Sequence, residues 1–336
     1  MNKILKKTLI GLGAVLVIGA AAGLVIYNYS LEKYSGETQR LVFPTGSGKD
    51  AVRDTLEARL GDYGAKVYRL WDAQGGATMS GSYVLEHGAT ALSVSRMMRR
   101  GMQTPVKVAF NNCRTLADVA ERACRNVETK PEQFLSVCDT LLPSRGFSLA
   151  EFPAAFIPDT YEAYWNAKPE ALVRRLLDSR DAFWTQDRKA KAAALGLTEA
   201  QVATLASIVE GETTLADEQP IVARLYLNRL AKGMRLQADP TVKFAVGDPT
   251  LRRILIKHTE VDSPYNTYKY AGLPPGPISV PSRQALDAVL NAPANNYIYM
   301  CAKEDFSGRH NFTANYQEHL ANARRFQAEL NRRGIK

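Results

Sequence analysis

Two glutamates stand at the end of a stretch with helical spacing and are the residues best placed to do chemistry. Thr198-Glu199-Ala200-Gln201 fits a capping box that opens a helix. Apolar residues then recur at helical spacing, namely Val202, Leu205, Ile208 and Val209. This stripe continues to Glu212, whereas Glu210 falls on a different face. A carboxylate on an apolar stripe is costly to ionise, so we expect a raised pKa, which a general acid needs near neutral pH.

The glycine between the two glutamates leaves the local geometry open. A glycine inside a helix costs about 1 kcal/mol relative to alanine. The helix therefore either continues through Gly211 or ends there, and both geometries can present Glu212 to a substrate. The alternative is a structural glutamate paired with an arginine such as Arg224 or Arg235, because buried charges are usually paired.

The chain beyond Glu212 supplies a second helix and then irregular polar segments. The helix is predicted over Pro220–Ala231 and is closed by Gly233. The segments 235–242, 264–268 and 272–278 follow, and their proline and glycine content predicts stiff loops. Tyrosine, asparagine, threonine and glutamine side chains in these loops can stack on sugar rings and hydrogen-bond to them.

These segments, in this order, resemble the YceG-like family of MltG-type endolytic murein transglycosylases. The matching motifs are Ile208–Thr213, Asn228–Leu230, Arg235–Thr241, Tyr265–Tyr268 and Gly272–Ile278. His310–Phe312 resembles the closing motif of that family, and Phe156–Tyr161 resembles its FPDTY element with Ile157 as an extra residue. The resemblance is strong over residues 149–334 and weaker over 38–148, where the family carries a LysM-like module.

The resemblance implies one catalytic glutamate, at Glu212, and glycan strands of peptidoglycan as the substrate. Glu212 would protonate the glycosidic oxygen between MurNAc and GlcNAc and then take the proton of the MurNAc C6 hydroxyl, leaving a 1,6-anhydro end. No metal and no organic cofactor is implied. The candidate substrate-binding residues are Glu210, Gln237, Asp239, Tyr265, Asn266, Thr267, Tyr268, His310 and Asn311.

Two other functions remain open at this point. The first is a murein hydrolase with a second carboxylate, Glu210 or Asp239, because hydrolases usually need two. The second is a noncatalytic wall-binding or scaffold protein of the elongation or division machinery.

The N-terminus predicts a membrane anchor. Residues 8–31 carry no charged side chain, and the core, Leu9–Tyr27, is almost entirely aliphatic. Roughly 20 apolar residues span a bilayer core as a helix. Lysines precede this run, so we expect a single-pass protein of the bacterial inner membrane with a cytoplasmic N-terminus and an external body. The alternative is a cleaved signal peptide, for which the apolar run is long.

The expected fold class is α+β, with a cytoplasmic tail at 1–7 and the anchor at 8–28. A small LysM-like α+β module follows at 38–148, and a mixed, mostly helical catalytic domain at 149–334. The module has predicted strands at 41–43, 66–70, 81–85 and 106–110, and helices at 51–60, 92–100, 116–125 and 131–142. The catalytic region is predicted helical from 169 to 233, with helices at 282–290 and 315–332 and a strand near 297.

The net charge and the cysteine content limit which partners and cross-links are expected. The net charge of +9 favours anionic partners such as lipid headgroups or wall carboxylates, and nucleic acid is a poor partner for an exported body. The family resemblance adds peptidoglycan synthases or division proteins as candidate partners.

An exported domain permits disulfides, and the four cysteines allow three complete pairings. They are Cys113, Cys124, Cys138 and Cys301.

Overall fold

The computed structural model describes residues 3–77, 80–248, 251 and 254–334. By its internal contacts the chain forms two compact units. The first unit contains the residues up to Lys107 together with 126–128 and 162–167, and the second contains the remainder. Segment 38–148 is therefore shared between the units, and the domain boundary at residue 148 stays a prediction.

The N-terminal helix, α1 (Lys3–Leu31), exposes its apolar side chains. Those described between Leu12 and Val25 leave 60–70% of their surface uncovered. Among the described residues, no single helix is long and apolar enough to cross a membrane; the apolar stretch found in α1 is the shorter Val15–Leu31. One bent pair of helices, residues 186–194 and 199–212, is long and apolar enough to cross a membrane, but only its length and composition indicate this. The anchor at 8–28 stays a prediction.

Besides α1, the described residues of the first unit form three helices and a two-stranded antiparallel sheet. Its elements are β1 (Gln39–Phe43), α2 (Lys49–Leu60), α3 (Asp62–Ala73), β2 (Gly81–Leu85) and α4 (Ala91–Arg99). Leu41 on β1 lies opposite Tyr83 on β2, and both side chains are buried in a core that includes Trp71. The strands predicted at 41–43 and 81–85 are thereby confirmed.

The strand predicted at 66–70 is wrong, because these residues lie in the middle of α3. The local run of Val67 and Tyr68 favours a strand. However, the buried residues Tyr63, Val67 and Trp71 recur every four positions, which is the spacing of one helical face. The longer periodicity determines the structure.

The second unit is mostly helical and holds two small sheets, β3–β4 and the antiparallel β5–β6. Its elements are β3 (Val106–Phe110), α5 (Leu116–Ala123), α6 (Pro131–Ser144), a 3-10 helix (Leu149–Ala155), β4 (Asp159–Ala163), α7 (Pro169–Phe183), α8 (Gln186–Ala194), α9 (Glu199–Glu212), α10 (Gln219–Ala231), α11 (Asp239–Val246), α12 (Ile256–Thr259), α13 (Arg283–Leu290), β5 (Tyr299–Ala302), β6 (His310–Thr313) and α14 (Tyr316–Arg332). Strand β3 begins in the first unit, and β4 ends there. The α+β class is confirmed.

Helix α9 is the central helix of this unit and carries both glutamates. Its capping box is present: the Thr198 hydroxyl accepts from the Gln201 amide N–H, and the Gln201 side chain accepts from the Thr198 amide N–H. Residues 202–209 are all buried, so α9 is surrounded on every side rather than along one stripe. The helix continues through Gly211 to Glu212, which settles the open geometry.

The glycine inside α9 permits a close approach by α11. A Cβ atom added to Gly211 would lie 2.8 Å from the Cβ of Pro240, closer than real Cβ contacts. Pro240 stands in the first turn of α11, where its missing N–H costs nothing. The interpretation of residues 239–242 as a loop is therefore wrong, and α11 brings Asp239 towards the end of α9.

The four cysteines all lie in the described part of the chain and carry free thiols. Burial raises the pKa of Cys124 to about 11 and that of Cys138 to about 12. Thiols with such values are poor nucleophiles at neutral pH. Cys301 lies on β5 and is partly buried.

Candidate active site

Glu212 occupies the last residue of α9 and has a raised pKa. The hydroxyl of Tyr226, a buried residue of α10, donates a 2.6 Å hydrogen bond to its carboxylate. Burial raises the pKa of Glu212 to about 7, and the negative charge of Asp239 acts in the same direction. The bond from Tyr226 and the charge of Arg229 lower this pKa. The effect of burial is the largest, so the pKa of Glu212 lies close to neutral pH.

The arginine beside Glu212 is not one of those considered in the sequence. Arg224 and Arg235 donate to backbone carbonyls elsewhere. Arg229 is buried and also donates to backbone carbonyls, with 2.6 Å to that of Leu236. Arg229 therefore acts on Glu212 through its charge, and the structural ion pair is not formed in the described part of the chain.

A second carboxylate, Asp239, shares the environment of Glu212. It stands at the first residue of α11 and accepts a 2.6 Å hydrogen bond from the hydroxyl of Tyr268. Burial is the main cause that raises the pKa of Tyr268, and it also raises that of Tyr226. Both phenols therefore stay protonated at neutral pH, and each one donates to a carboxylate.

Glu212 and Asp239 both line two adjoining cavities. The larger has a volume of about 710 Å³ and the smaller about 240 Å³. Clefts that hold small ligands measure about 300–1,000 Å³. The larger cavity has an apolar wall that includes Phe244 and Ile278 and a basic side chain, Arg114. Glu212 is thus accessible from a cleft large enough for sugar rings.

The smaller cavity collects three further predicted residues. Gln237, Tyr268 and His310 line it together with Glu212. The backbone N–H of His310 donates to the buried Glu218 at 2.9 Å, and its ring Nδ1 lies 3.0 Å from the same carboxylate. This pair of bonds fixes the imidazole at the wall of the cavity.

Glu210 faces away from this cleft. Its carboxylate accepts a 3.2 Å hydrogen bond from the backbone N–H of Ser282, the residue that caps α13. It lines a third cavity of about 550 Å³, which adjoins the larger one through Arg114 and Ser279. Glu210 and Glu212, although two residues apart, therefore serve different surroundings.

The side chains of Asn266 and Thr267 stabilise loops. The buried Asn266 donates from its side chain to the carbonyls of Thr259 (2.9 Å) and Val261 (2.7 Å). The buried Thr267 hydroxyl accepts from the Ala238 amide at 2.9 Å and so holds the start of α11.

Two further predicted residues also contact protein groups. The ring of Tyr265 packs 4.6 Å from that of Phe244. Asn311 donates to Glu304 at 3.2 Å.

Sequence reasoning missed Tyr226 and Arg229, the two groups that lower the pKa of Glu212 against the effect of burial. They lie three positions apart on α10 and therefore share a face. A tyrosine and an arginine on one buried helical face are a signal of a polar site, because such groups need partners inside a protein.

A partly buried glutamate with a pKa of about 7, opening on a cleft, defines a site for acid–base chemistry. A model of the YceG-like family matches residues 41–325, which is most of the chain. The chain belongs to the YceG-like family.

The relatives agree with this assignment. The chain is 26% identical over 329 residues to an endolytic murein transglycosylase of Bacillus subtilis (strain 168), covering 90% of this chain and 89% of that protein. It is 29% identical over 182 residues to an endolytic murein transglycosylase of Streptococcus pneumoniae (strain R6), covering 52% of this chain and 32% of that one. A crystal structure of a yceG-like protein from Listeria monocytogenes has the same fold, with a TM-score of 0.56 and 24% sequence identity. The match covers 85% of this chain and 98% of that one.

Proposed function

We propose that this protein is an endolytic murein transglycosylase in which Glu212 is the single catalytic acid and base. The observation that carries the proposal is the carboxyl of Glu212, with its pKa of about 7, at the junction of two cavities. The relatives named above carry this activity in their names. Their names supply the substrate, murein, and the geometry supplies the candidate residue.

In the proposed reaction, protonated Glu212 donates its proton to the glycosidic oxygen between MurNAc and GlcNAc. The bond from MurNAc C1 to that oxygen breaks and leaves an oxocarbenium-like centre. Ionised Glu212 then accepts the proton of the MurNAc C6 hydroxyl as its oxygen bonds to C1. Glu212 gives up one proton in the first step and regains one in the second, so it ends the reaction protonated, and no water is consumed.

Each step requires Glu212 in a different protonation state. A pKa near the working pH makes both states accessible, as acid–base catalysis requires. Tyr226 stabilises the carboxylate after the first step, because its hydrogen bond is made to the charged form. Asp239 opposes ionisation and, being negative, also favours a cationic centre in the cleft.

The second candidate is a murein hydrolase with Glu212 and Asp239 as its two carboxylates. The observation that favours it is that both line the same two cavities. Glu210 is a weaker second carboxylate, since it lines another cavity. Water would then replace the C6 hydroxyl as nucleophile, and the product would end in a reducing MurNAc.

The deciding experiment digests uncrosslinked glycan strands with the purified protein and analyses the new ends by mass spectrometry. We expect 1,6-anhydro ends from the wild type and a loss of about 10²–10⁴-fold in rate for Glu212→Gln. Glu210→Gln is the matched control, because it removes a carboxylate outside the cleft. Reducing ends would establish the hydrolase, and undiminished cleavage by Glu212→Gln would overturn the assignment of the catalytic residue.

We also propose that α1 anchors the protein in the inner membrane, with the catalytic body outside. The support is the uncharged run 8–31 after three lysines and the exposure of apolar side chains along α1. An anchored body reaches the glycan near the membrane, where peptidoglycan synthases and division proteins work. Fractionation of cells tests the anchor: release of the body by a salt wash or by signal peptidase would exclude it.

The 38–148 segment completes the proposal as a LysM-like module that helps to hold glycan. Its test is a pull-down of the Glu212→Gln protein on purified murein. Retention unaffected by substitutions on the surface of this segment would leave it with a bracing role only.

A further inference from the structure

Two basic side chains line the larger cavity together with Glu212. Arg114 follows β3, and Lys243 lies on α11, 129 positions later. The mechanism proposed above uses neither of them. Sugar rings of murein are uncharged, so binding them does not explain two cations in one cleft.

Arg114 is held in place without being neutralised. One guanidinium N–H donates to the backbone carbonyl of Lys243 at 3.3 Å, and the guanidinium lies over the ring of Phe244, 5.5 Å from its centre. The other N–H donors remain available for a ligand. Within the described ranges, neither Arg114 nor Lys243 has a carboxylate at ion-pair distance, and the Lys243 side chain is exposed.

Of the two cavities that Glu212 and Asp239 line, the described lining residues include the basic pair in the larger one only. A strand that passes Glu212 through both cavities therefore meets the two cations in the larger cavity alone.

The wall beside the pair is apolar. Phe244 adjoins Lys243 on α11, and Leu251 and Ile254 line the same cavity. A ligand that fits has a carboxylate next to short aliphatic groups. A peptide stem of murein, built from alanine and other amino acids and ending in free carboxylates, has this composition.

We propose that Arg114 and Lys243 bind a carboxylate of the peptide stem, so that the enzyme selects glycan strands that still carry acidic stems. This inference rests on the proposed function. The guanidinium fork matches a carboxylate in two parallel hydrogen bonds, and the ammonium adds a second charge. The pair thereby fixes the register of the strand, because each stem marks one MurNAc residue.

The same chemistry could come from a second source on the strand. Removal of a stem by an amidase exposes the lactyl carboxylate of MurNAc. Three substrates separate these sources: strands with free-acid stems, strands whose stem carboxylates are amidated, and strands stripped of stems. The amidated strands keep the size and shape of the stems and lose only the charge.

The experiment measures kcat and KM of the full-length protein on the three substrates for the wild type, Arg114→Gln and Lys243→Gln. We expect the wild type to prefer free-acid strands, with KM about tenfold lower than for amidated strands, because a bond to a charged group is worth more than a neutral one. Both variants should lose this preference with kcat nearly unchanged. Arg114→Lys should recover part of it.

Lys232→Gln is the matched control, since it removes one exposed positive charge at the end of α10, outside the described lining of the cavity. Equal KM values of the wild type on free-acid and amidated strands would overturn the inference while cleavage itself upholds the enzyme. If Arg114→Gln and Lys243→Gln bound only the stripped strands more weakly than the wild type does, the pair would bind the lactyl carboxylate and the stem would be refuted as its ligand. Absence of anhydro ends from every substrate would instead refute the proposed function.

Discussion

The hydroxyl of Tyr226 lies 2.6 Å from the carboxylate of Glu212, and Tyr226 comes from a different helix than the glutamate. Tyr268 makes the corresponding 2.6 Å bond to Asp239. The cleft therefore contains two carboxylates, each bonded to one phenol. Burial raises the pKa of Glu212, because its effect outweighs that of the hydrogen bond from Tyr226.

The first prediction concerns Tyr226→Phe. The hydrogen bond from Tyr226 favours ionised Glu212, so its removal raises the pKa of Glu212. Activity that needs protonated Glu212 falls as pH rises through about 7 in the wild type. In the variant this alkaline limb should move to higher pH, with a lower maximum. The measurement is kcat/KM against pH, and an unmoved limb would refute the coupling.

The second prediction uses Asp239→Asn, which acts in the opposite direction. The negative charge of Asp239 raises the pKa of Glu212, so its loss lowers that pKa. The alkaline limb should move to lower pH. If Asp239 were instead the second carboxylate of a hydrolase, activity would be lost at every pH. The shape of the profile thus separates a charge effect from a catalytic role.

The raised pKa predicted for Glu212 is present in the structure, but the apolar stripe explains only part of it. Val202, Leu205 and Val209 are buried as the stripe requires. Ala203 and Ser207 are buried as well, although they share the face of Glu210. The two glutamates differ through what covers the end of α9, and such contacts between distant segments leave no periodicity.

Contacts between distant segments also decide the roles of the predicted binding residues, and the sequence pattern does not reveal them. A conspicuous polar loop predicted Asn266 and Thr267 as ligands for sugar, and the structure buries both in bonds to the backbone. Turn residues with hydrogen-bonding side chains serve loops as readily as ligands. Helix α11 escaped prediction because Pro240 suggested a loop, whereas proline in a first turn begins a helix.

The third prediction tests this distinction with Asn266→Ala and Gln237→Ala. Asn266 is buried with two backbone carbonyls as acceptors, so its loss should cost about 1–3 kcal/mol of unfolding free energy. Gln237 is exposed and lines the smaller cavity, so its loss should raise KM with little change in Tm. Thermal denaturation and kinetics on the same preparations check both. The reverse pattern would make Asn266 a binding residue.

The fourth prediction concerns Gly211→Ala. The added methyl would meet the ring of Pro240 at 2.8 Å, and relief requires α11 to move. We expect a loss of about 1–3 kcal/mol in stability. A decrease in kcat/KM should accompany it, since α11 carries Asp239.

Pro240→Gly removes the Cβ and Cγ atoms at the contact and provides the control for this prediction. The double variant should recover part of the stability and activity lost in Gly211→Ala, because the two residues touch. Strictly additive losses would show that the close approach is unimportant.

The last prediction is a dependence of stability on pH that originates at Glu212. Its pKa is about 7 in the folded protein, whereas the ordinary pKa of a glutamate, which applies to the unfolded chain, is 4.5. Because the folded state holds this proton more tightly, stability from Glu212 is present below pH 4.5 and is lost as pH rises to about 7. Glu212→Gln cannot ionise and escapes the loss. Its Tm should exceed that of the wild type at pH 8 by several degrees, for a free energy on the order of 1–3 kcal/mol, and the gap should narrow at pH 5. A gap independent of pH would contradict the raised pKa.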